Sequence, residues 1–362
     1  MDRVRSLKSN LLNSNIFNKL INIFNLHDLN KWSIPSNYLI FTSILIILII
    51  YFVNNKTSLN KTNCTKLSEI YITNPPLNSI VDNTEMKSQP LRDFYIKTAY
   101  NCCCSGQFKN DYVNMCALNA CISQGVRCLD FEIYSIDDKP VVAASSVDDY
   151  TVKETYNSLP LDDVFNTITQ RAFSSGICSN FNDPIILHFR IMSNNVAMYD
   201  NFADIISNTD DFNSRTLGKE YSYEYHGNNL GAVPISNFKQ KIIIIVDGTN
   251  PLYKSTALNE YVNITSGSVF MHFMRYKDIK YNQITDPTDF NKYNMTIVLP
   301  DINADNNNPN FELTRKYGCQ FLGMSFQNND TNLQEYNKFF DKNKTAFVYK
   351  LGGDPLTPLA TL

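Results

Sequence analysis

The sequence predicts an α/β fold with a mainly parallel sheet, preceded by a single transmembrane helix. Three observations predict it. Strand-like runs at 93–97, 127–134, 140–144, 184–192, 241–247, 295–299 and 319–326 alternate with helical periodicity near 111–123, 160–173, 197–207 and 332–341. Strands separated by helices pair in parallel, because a parallel pair needs a crossover of about a dozen residues or more. Residues 38–53, YLIFTSILIILIIYFV, form one strongly apolar run. The third observation is length: 362 residues hold one α/β domain of about 250 residues and an N-terminal extension.

From the N-terminus, Leu12, Ile16, Leu20 and Phe24 recur every fourth residue within 1–31. That spacing predicts an amphipathic helix, lying on a membrane surface or packing on another subunit. His27 falls in this interfacial stretch. Counted from Trp32 to Val53, the next segment is about 22 residues, enough for ~30 Å of hydrocarbon at ~1.5 Å per residue. Trp32, Tyr38 and Tyr51 stand where an aromatic belt belongs. The run lies too far from Met1 for a signal peptide and lacks a small-residue cleavage site. A buried core helix is the competing reading. Arg3, Arg5, Lys8, Lys19 and Lys31 precede the span and Lys56, Lys61 and Lys66 follow it. This excess places the N-terminus in the cytosol and the following domain in a lumen or outside the cell. Residues 54–90, rich in Asn, Thr, Ser and Pro, read as a tether. The folded domain is expected over 91–351, with a connection at 208–238, an Asn-rich rim loop at 301–310 and a tail at 352–362.

A net charge of −3 gives no nucleic-acid footprint. Asparagine makes up about one residue in eight, as suits an AT-rich genome such as that of a protist or a large DNA virus. The sequons at Asn55, Asn60, Asn63, Asn263, Asn294, Asn329 and Asn343 are about as many as chance supplies at that content, so they do not fix the topology. Nine cysteines include Cys102, Cys103, Cys104, Cys116, Cys121 and Cys128, without metal-type spacing. Disulfides within 102–128 are expected if the domain lies in an oxidising compartment, and buried thiols otherwise.

Three segments carry a resemblance: PLRDFYIKTAYNCCCSGQ (90–107), GVRCLDFEIY (125–134) and KPVVAAS (139–145). Together they resemble the X region of phosphatidylinositol-specific phospholipase C. A Y-like half at 239–351 resembles the same family through KQKIIIIVDG (239–248) and through Gly318, Cys319, Gln320, Phe326, Gln327, Tyr349 and Lys350. The X-like half is 91–207. The resemblance selects an irregular TIM-type (β/α)8 barrel and implies phosphodiester cleavage by two histidines with a calcium ion.

Both family histidines are replaced, the first by Tyr100 and the second by Ala144. Imidazole serves as acid and base because it titrates near neutrality, whereas an unperturbed tyrosine titrates near pH 10 and alanine carries no proton. Of the calcium ligands the resemblance implies, Asn101, Asp130 and Glu132 retain oxygen donors, and Arg190 stands at the fourth position. Asp130 and Glu132 share a strand face, as do His188 and Arg190 on PIILHFRIM (184–192), so Arg190 is expected to pair with the two acids. His188 is read as an interior histidine bonded to an acid, with a relocated catalytic role as the alternative. His226 and His272 are read as structural. Ile297 and Leu299 stand where the family reads the headgroup with Arg and Tyr.

The sequence therefore predicts a membrane-anchored phospholipase C-like barrel that binds or builds at a lipid membrane without catalysis. Its expected partners are a phosphoinositide headgroup or a partner protein. No cofactor is expected, calcium being the one that the resemblance offers. The alternative is an active phosphoric diester hydrolase built on His188, Arg190 and Asp130.

Overall fold

A computed structural model describes residues 36–147, 152–281, 287–303 and 305–350. The expected amphipathic segment at 1–31, Trp32 and the tail at 352–362 lie outside the described residues. Contacts divide the chain into two compact units, Met1–Thr57 and Ser58–Leu362.

In the first unit runs most of the apolar part of α1 (Ser36–Ile70). Among the described residues α1 is the one helix long and apolar enough to cross a membrane, and none of its most apolar stretch is buried. The core-helix reading is therefore set aside.

The tether expected at 54–90 is corrected. α1 continues to Ile70, and Leu67, Leu77, Ile80 and Val81 are buried in the second unit. Asn- and Thr-rich sequence reads as loop because these side chains compete for backbone hydrogen bonds. Here the polar residues form the contact face. Asn60, Asn63, Cys64 and Leu67 recur at helical spacing, and Asn60 accepts from Asn114 (2.9 Å) while Asn63 donates to Asp111 (2.8 Å). Cys64 forms a disulfide with Cys116. The pairing expected within 102–128 is thus also corrected: Cys102, Cys103, Cys104, Cys121 and Cys128 are buried thiols. The partner of Cys116 lies 52 residues upstream, on a helix the composition disguised.

The second unit is a nearly closed barrel of parallel strands, in the order 264–266, 242–247, 185–191, 128–136, 94–99, 321–324, 295–299 and 271–275. Its first half comprises β1 (Phe94–Ala99), α2 (Met115–Ser123), β2 (Cys128–Ile136), β3 (Lys139–Ala143), β4 (Leu159–Pro160), α3 (Leu161–Ala172), β5 (Ile185–Ile191) and α4 (Val196–Asn208). The second comprises β6 (Ile242–Asp247), β7 (Ile264–Ser266), β8 (Met271–Arg275), α5 (Tyr276–Lys280), β9 (Met295–Leu299), α6 (Phe311–Lys316), β10 (Phe321–Met324), α7 (Thr331–Asn343) and β11 (Phe347–Tyr349). β3 is antiparallel to β2, and β11 to β1. The chain spends some of its asparagine and aspartate on helix starts: Asn114, Asn195, Asn310 and Asp330 cap α2, α4, α6 and α7 by accepting from a backbone N–H.

Period-two alternation on β2 and β5 positions everything that follows. Their register sets Asp130 opposite His188 and Glu132 opposite Arg190. On the other face Phe131 stacks on Phe189, and Phe189 packs against Phe165 of α3 and Phe202 of α4. Each of these fully buried rings stabilises the fold by about 1.5–3 kcal/mol.

Replacing Cys64 and Cys116 together by serine should cost the folded barrel about 2–4 kcal/mol. Urea unfolding of the full chain in detergent would show it as a lower midpoint at similar slope. An unmoved midpoint would mean that the bond contributes nothing.

Candidate functional site

Asp130 is the hub of the barrel interior. It accepts from His188 Nδ1 (2.7 Å), Arg190 Nε (3.1 Å), Arg190 Nη2 (2.9 Å) and the backbone N–H of Asn101 (3.1 Å). To make that last bond, Asn101 sits at φ 43°, a left-handed conformation that asparagine tolerates better than most residues. Its side chain then accepts from Arg190 Nη2 (2.6 Å) and donates to Glu132 (3.3 Å). Glu132 takes Arg190 Nη1 at 3.3 Å on one oxygen and the Tyr134 hydroxyl at 2.6 Å on the other.

The guanidinium of Arg190 therefore occupies the centre of the donor set Asn101, Asp130 and Glu132. Each of these residues spends an oxygen on it. A calcium ion needs six to eight oxygens around one point, and a cationic side chain already sits at that point. The residues present do not fit the ion.

Burial separates the two acids. It raises both carboxyls, but at Asp130 the Arg190 charge and the His188 bond more than offset it, holding the group well below the ordinary aspartate value. At Glu132 burial wins over the weaker contacts of Arg190 and Tyr134, and the carboxyl is raised.

Tyr100 and Ala144 are built into the wall. The Tyr100 ring lies 4.9 Å from the Arg190 guanidinium and packs edge-on against Phe108, and burial raises its hydroxyl. Gly323 makes that seat, since a Cβ there would stand 3.1 Å from Tyr100 Cβ and 2.8 Å from Leu299. Ala144 is fully buried, with its carbonyl taken by the N–H groups of Glu154 and Thr155.

His188 lies between Asp130 and Ser266, whose hydroxyl is 2.9 Å from Nε2, and Phe273 stacks on its ring. Asp130, His188 and Ser266 have the connectivity of a hydrolase triad, yet all three are 0% exposed. His272 stacks on Phe290, and His226 meets the Lys219 carbonyl, both away from this cluster.

Above the cluster opens a cavity of about 190 Å³, lined in part by Arg190, Asp247, Asn250, Phe273, Arg275 and Lys277. The cations Arg275 and Lys277 were not singled out from the sequence. They stand at the end of β8 and in α5, in a stretch too short and too mixed in polarity to show a period. A matching cation pair at the strand end of a barrel would have been the signal. The wider groove beside β3 and α4, about 1100 Å³ with Asp162, Asp204 and Asp211 on its walls, holds none of the site residues.

Residues 87–247 match the family model for the X domain of phosphatidylinositol-specific phospholipase C. The match runs across 208–238 and into β6, beyond the X-like boundary expected at 207. Among solved structures, PLC21 of L. pealei aligns over 76% of this chain and 38% of its own, at a TM-score of 0.59 and 16% identity. PLC21 of S. officinalis aligns over 75% and 38%, at 0.58 and 16%. The chain thus spans about two-fifths of the length of those relatives, and the likeness is one of fold. A comparison with curated protein sequences gives no match. The second unit has the barrel fold of those structures, and its 87–247 part matches the phosphatidylinositol-specific phospholipase C X-domain model.

Removing Arg190 would leave two carboxylates facing each other in a dry interior. Arg190→Ala should cost about 3–5 kcal/mol at neutral pH. In the parent, the stabilisation from the depressed Asp130 is present above about pH 4, the ordinary aspartate value, and is lost as pH falls toward its folded value. In the variant, acid relieves the repulsion instead. The difference between the two proteins, measured by urea unfolding, should therefore shrink from pH 7 to pH 4. A difference independent of pH would show that the pair is not electrostatic in effect.

Proposed function

We propose that this protein is a membrane-anchored phospholipase C-like module that binds an anionic lipid headgroup without cleaving it. The observation that carries the reading is the guanidinium of Arg190 among Asn101, Asp130 and Glu132. With Tyr100 and Ala144 in the wall, no exposed imidazole reaches the mouth among the described residues. Losing a positioned acid or base typically costs about 10²–10⁴-fold in rate. The cations Arg275 and Lys277 around the cavity support an anionic ligand, and the family that the barrel resembles supports a phosphoinositide.

A second reading, an active phosphoric diester hydrolase, is favoured by the Asp130–His188–Ser266 relay. Full burial counts against it, because neither substrate nor water meets the relay without rearrangement. For the anchor, the apolar part of α1 supports a single-pass span over Tyr38–Val53. The charge excess before it and the Cys64–Cys116 disulfide support a cytosolic N-terminus and a barrel in an oxidising space.

The full chain in detergent should bind soluble inositol phosphates in calorimetry and release none from phosphatidylinositol, with or without calcium. Arg275→Ala should weaken that binding by about tenfold, since a charged hydrogen bond contributes ~1.5–3 kcal/mol. Calcium should raise the melting temperature of Arg190→Glu, which restores an oxygen donor, and leave the parent unmoved. Turnover that calcium stimulates and Asp130→Asn abolishes would sink the proposal.

Expressed in cells, the full chain should remain with membranes through alkaline carbonate. Recovery in the soluble fraction would remove the anchor.

A further inference from the structure

We propose that Asn329 and Asn343 carry N-linked glycans and that Asn63 and Asn263 do not. This rests on the orientation proposed above, with the barrel on the lumenal or extracellular side. The sequence offers seven sequons without distinguishing them. The fold does distinguish them.

Asn329 lies just before α7 and Asn343 is its last residue, and both are exposed. The Asn343 amide donates to the carbonyl of Phe339 in its own helix (2.8 Å), a bond that water can replace. At Asn329 it is the backbone carbonyl that accepts from the Gln334 amide (3.1 Å). Glycan transfer forms a bond from Asn Nδ2 to a sugar C1 as the C1–O bond to a lipid diphosphate carrier breaks. The diphosphate leaves and the amide nitrogen gives up one proton. The nitrogen must therefore face solvent with room for a saccharide.

At Asn63 and Asn263 that condition fails. Both are buried. Asn63 Nδ2 donates to Asp111, and the middle residue of its sequon, Cys64, is in the disulfide. Asn263 Nδ2 donates to the Tyr221 carbonyl (3.0 Å) while its Oδ1 accepts from the Ile244 N–H (2.8 Å), which ties it into the strand ladder beside β6. A saccharide on either would have to displace these bonds. Asn55 and Asn60 follow Val53 on α1, close to the end of the span. Asn294 is half-buried, with its side-chain oxygen held by Asn229 (3.0 Å).

The disulfide is the independent observation. A Cys64–Cys116 bond persists in the oxidising compartments where glycan transfer takes place, and not in the reducing cytosol. Cys102 and Cys104 suit that setting, because both are buried and burial pushes their thiols well above the usual range.

The test is expression of the full chain in eukaryotic cells, followed by peptide N-glycosidase treatment and peptide mapping without reductant. Enzymatic release converts an occupied Asn to Asp, so occupancy is read at each sequon in the parent protein. Conversion at Asn329 and Asn343, two gel steps lost one at a time in Asn329→Gln and Asn343→Gln, and a Cys64–Cys116 peptide are the expected results. Conversion at Asn63 or Asn263 in folded protein overturns the assignment. So does a protease-protected barrel with the disulfide formed and Asn329 and Asn343 unmodified, a result that leaves the orientation standing. An unmodified barrel with Cys64 and Cys116 as thiols, digested by protease from the cytosolic side of sealed microsomes, overturns the orientation and this inference together.

Discussion

The pairing of Arg190 with Asp130 is the interaction around which the barrel interior is arranged. Two carboxylates on alternate positions of β2 both face inward, and a buried charge without a partner is far costlier than one that is paired and bonded. Register alone would give Arg190 to Glu132, its neighbour across the ladder. The guanidinium instead reaches diagonally, placing two of its nitrogens on Asp130 at 2.9 and 3.1 Å and leaving Glu132 at 3.3 Å. Because Asp130 is then saturated by four donors, the backbone of Asn101 and the ring of His188 are fixed by the same group. The unequal sharing also explains why one carboxyl is held low and its neighbour is raised.

How much of this was legible follows from signal strength. β2 and β5 are long and apolar with their charged residues on alternate positions, so the sequence placed Asp130, Glu132, His188 and Arg190 on one inward surface, and the geometry brings them together. The bond from His188 to an acid was expected; its second partner, Ser266, was not. Ser266 and the cations Arg275 and Lys277 lie on or just after β7 and β8, strands of 3 and 5 residues that are too short for a period to emerge. The second half of α1 was missed for the opposite reason. Its contact face is made of Asn60, Asn63 and Cys64, and a reading that looks for apolar stripes takes such residues for a loop.

The two positions where the resemblance expects histidines, Tyr100 and Ala144, are not holes. A large side chain removed from a core ordinarily leaves a cavity whose cost grows with its volume. Here Tyr100 fills its position, wedged between Phe108 and the Arg190 guanidinium, and Gly323 yields the space. At Ala144 the 154–155 segment closes over the chain, with two N–H groups on one carbonyl. Around these two positions the interior is filled, and the polar groups of the Asp130 cluster are bonded to one another.

That closure bears on where the ligand proposed above would be met. Asn101, Asp130, Glu132 and His188 spend their hydrogen-bonding capacity on each other, so a molecule arriving at the barrel mouth finds few uncommitted donors among them. The charge that remains presentable stands one layer higher, at Arg275 and Lys277 beside the cavity. Arg275 is steadied by the Pro300 carbonyl (3.0 Å) and by the Phe273 ring, the same ring that covers His188. Phe273 thus touches both His188 of the buried network and Arg275 at the cavity, which Arg190 and Asp247 also line. On the reading proposed above, a phosphate would arrive at Arg275 and Lys277, while Asp130 and Glu132 are turned inward and paired with Arg190.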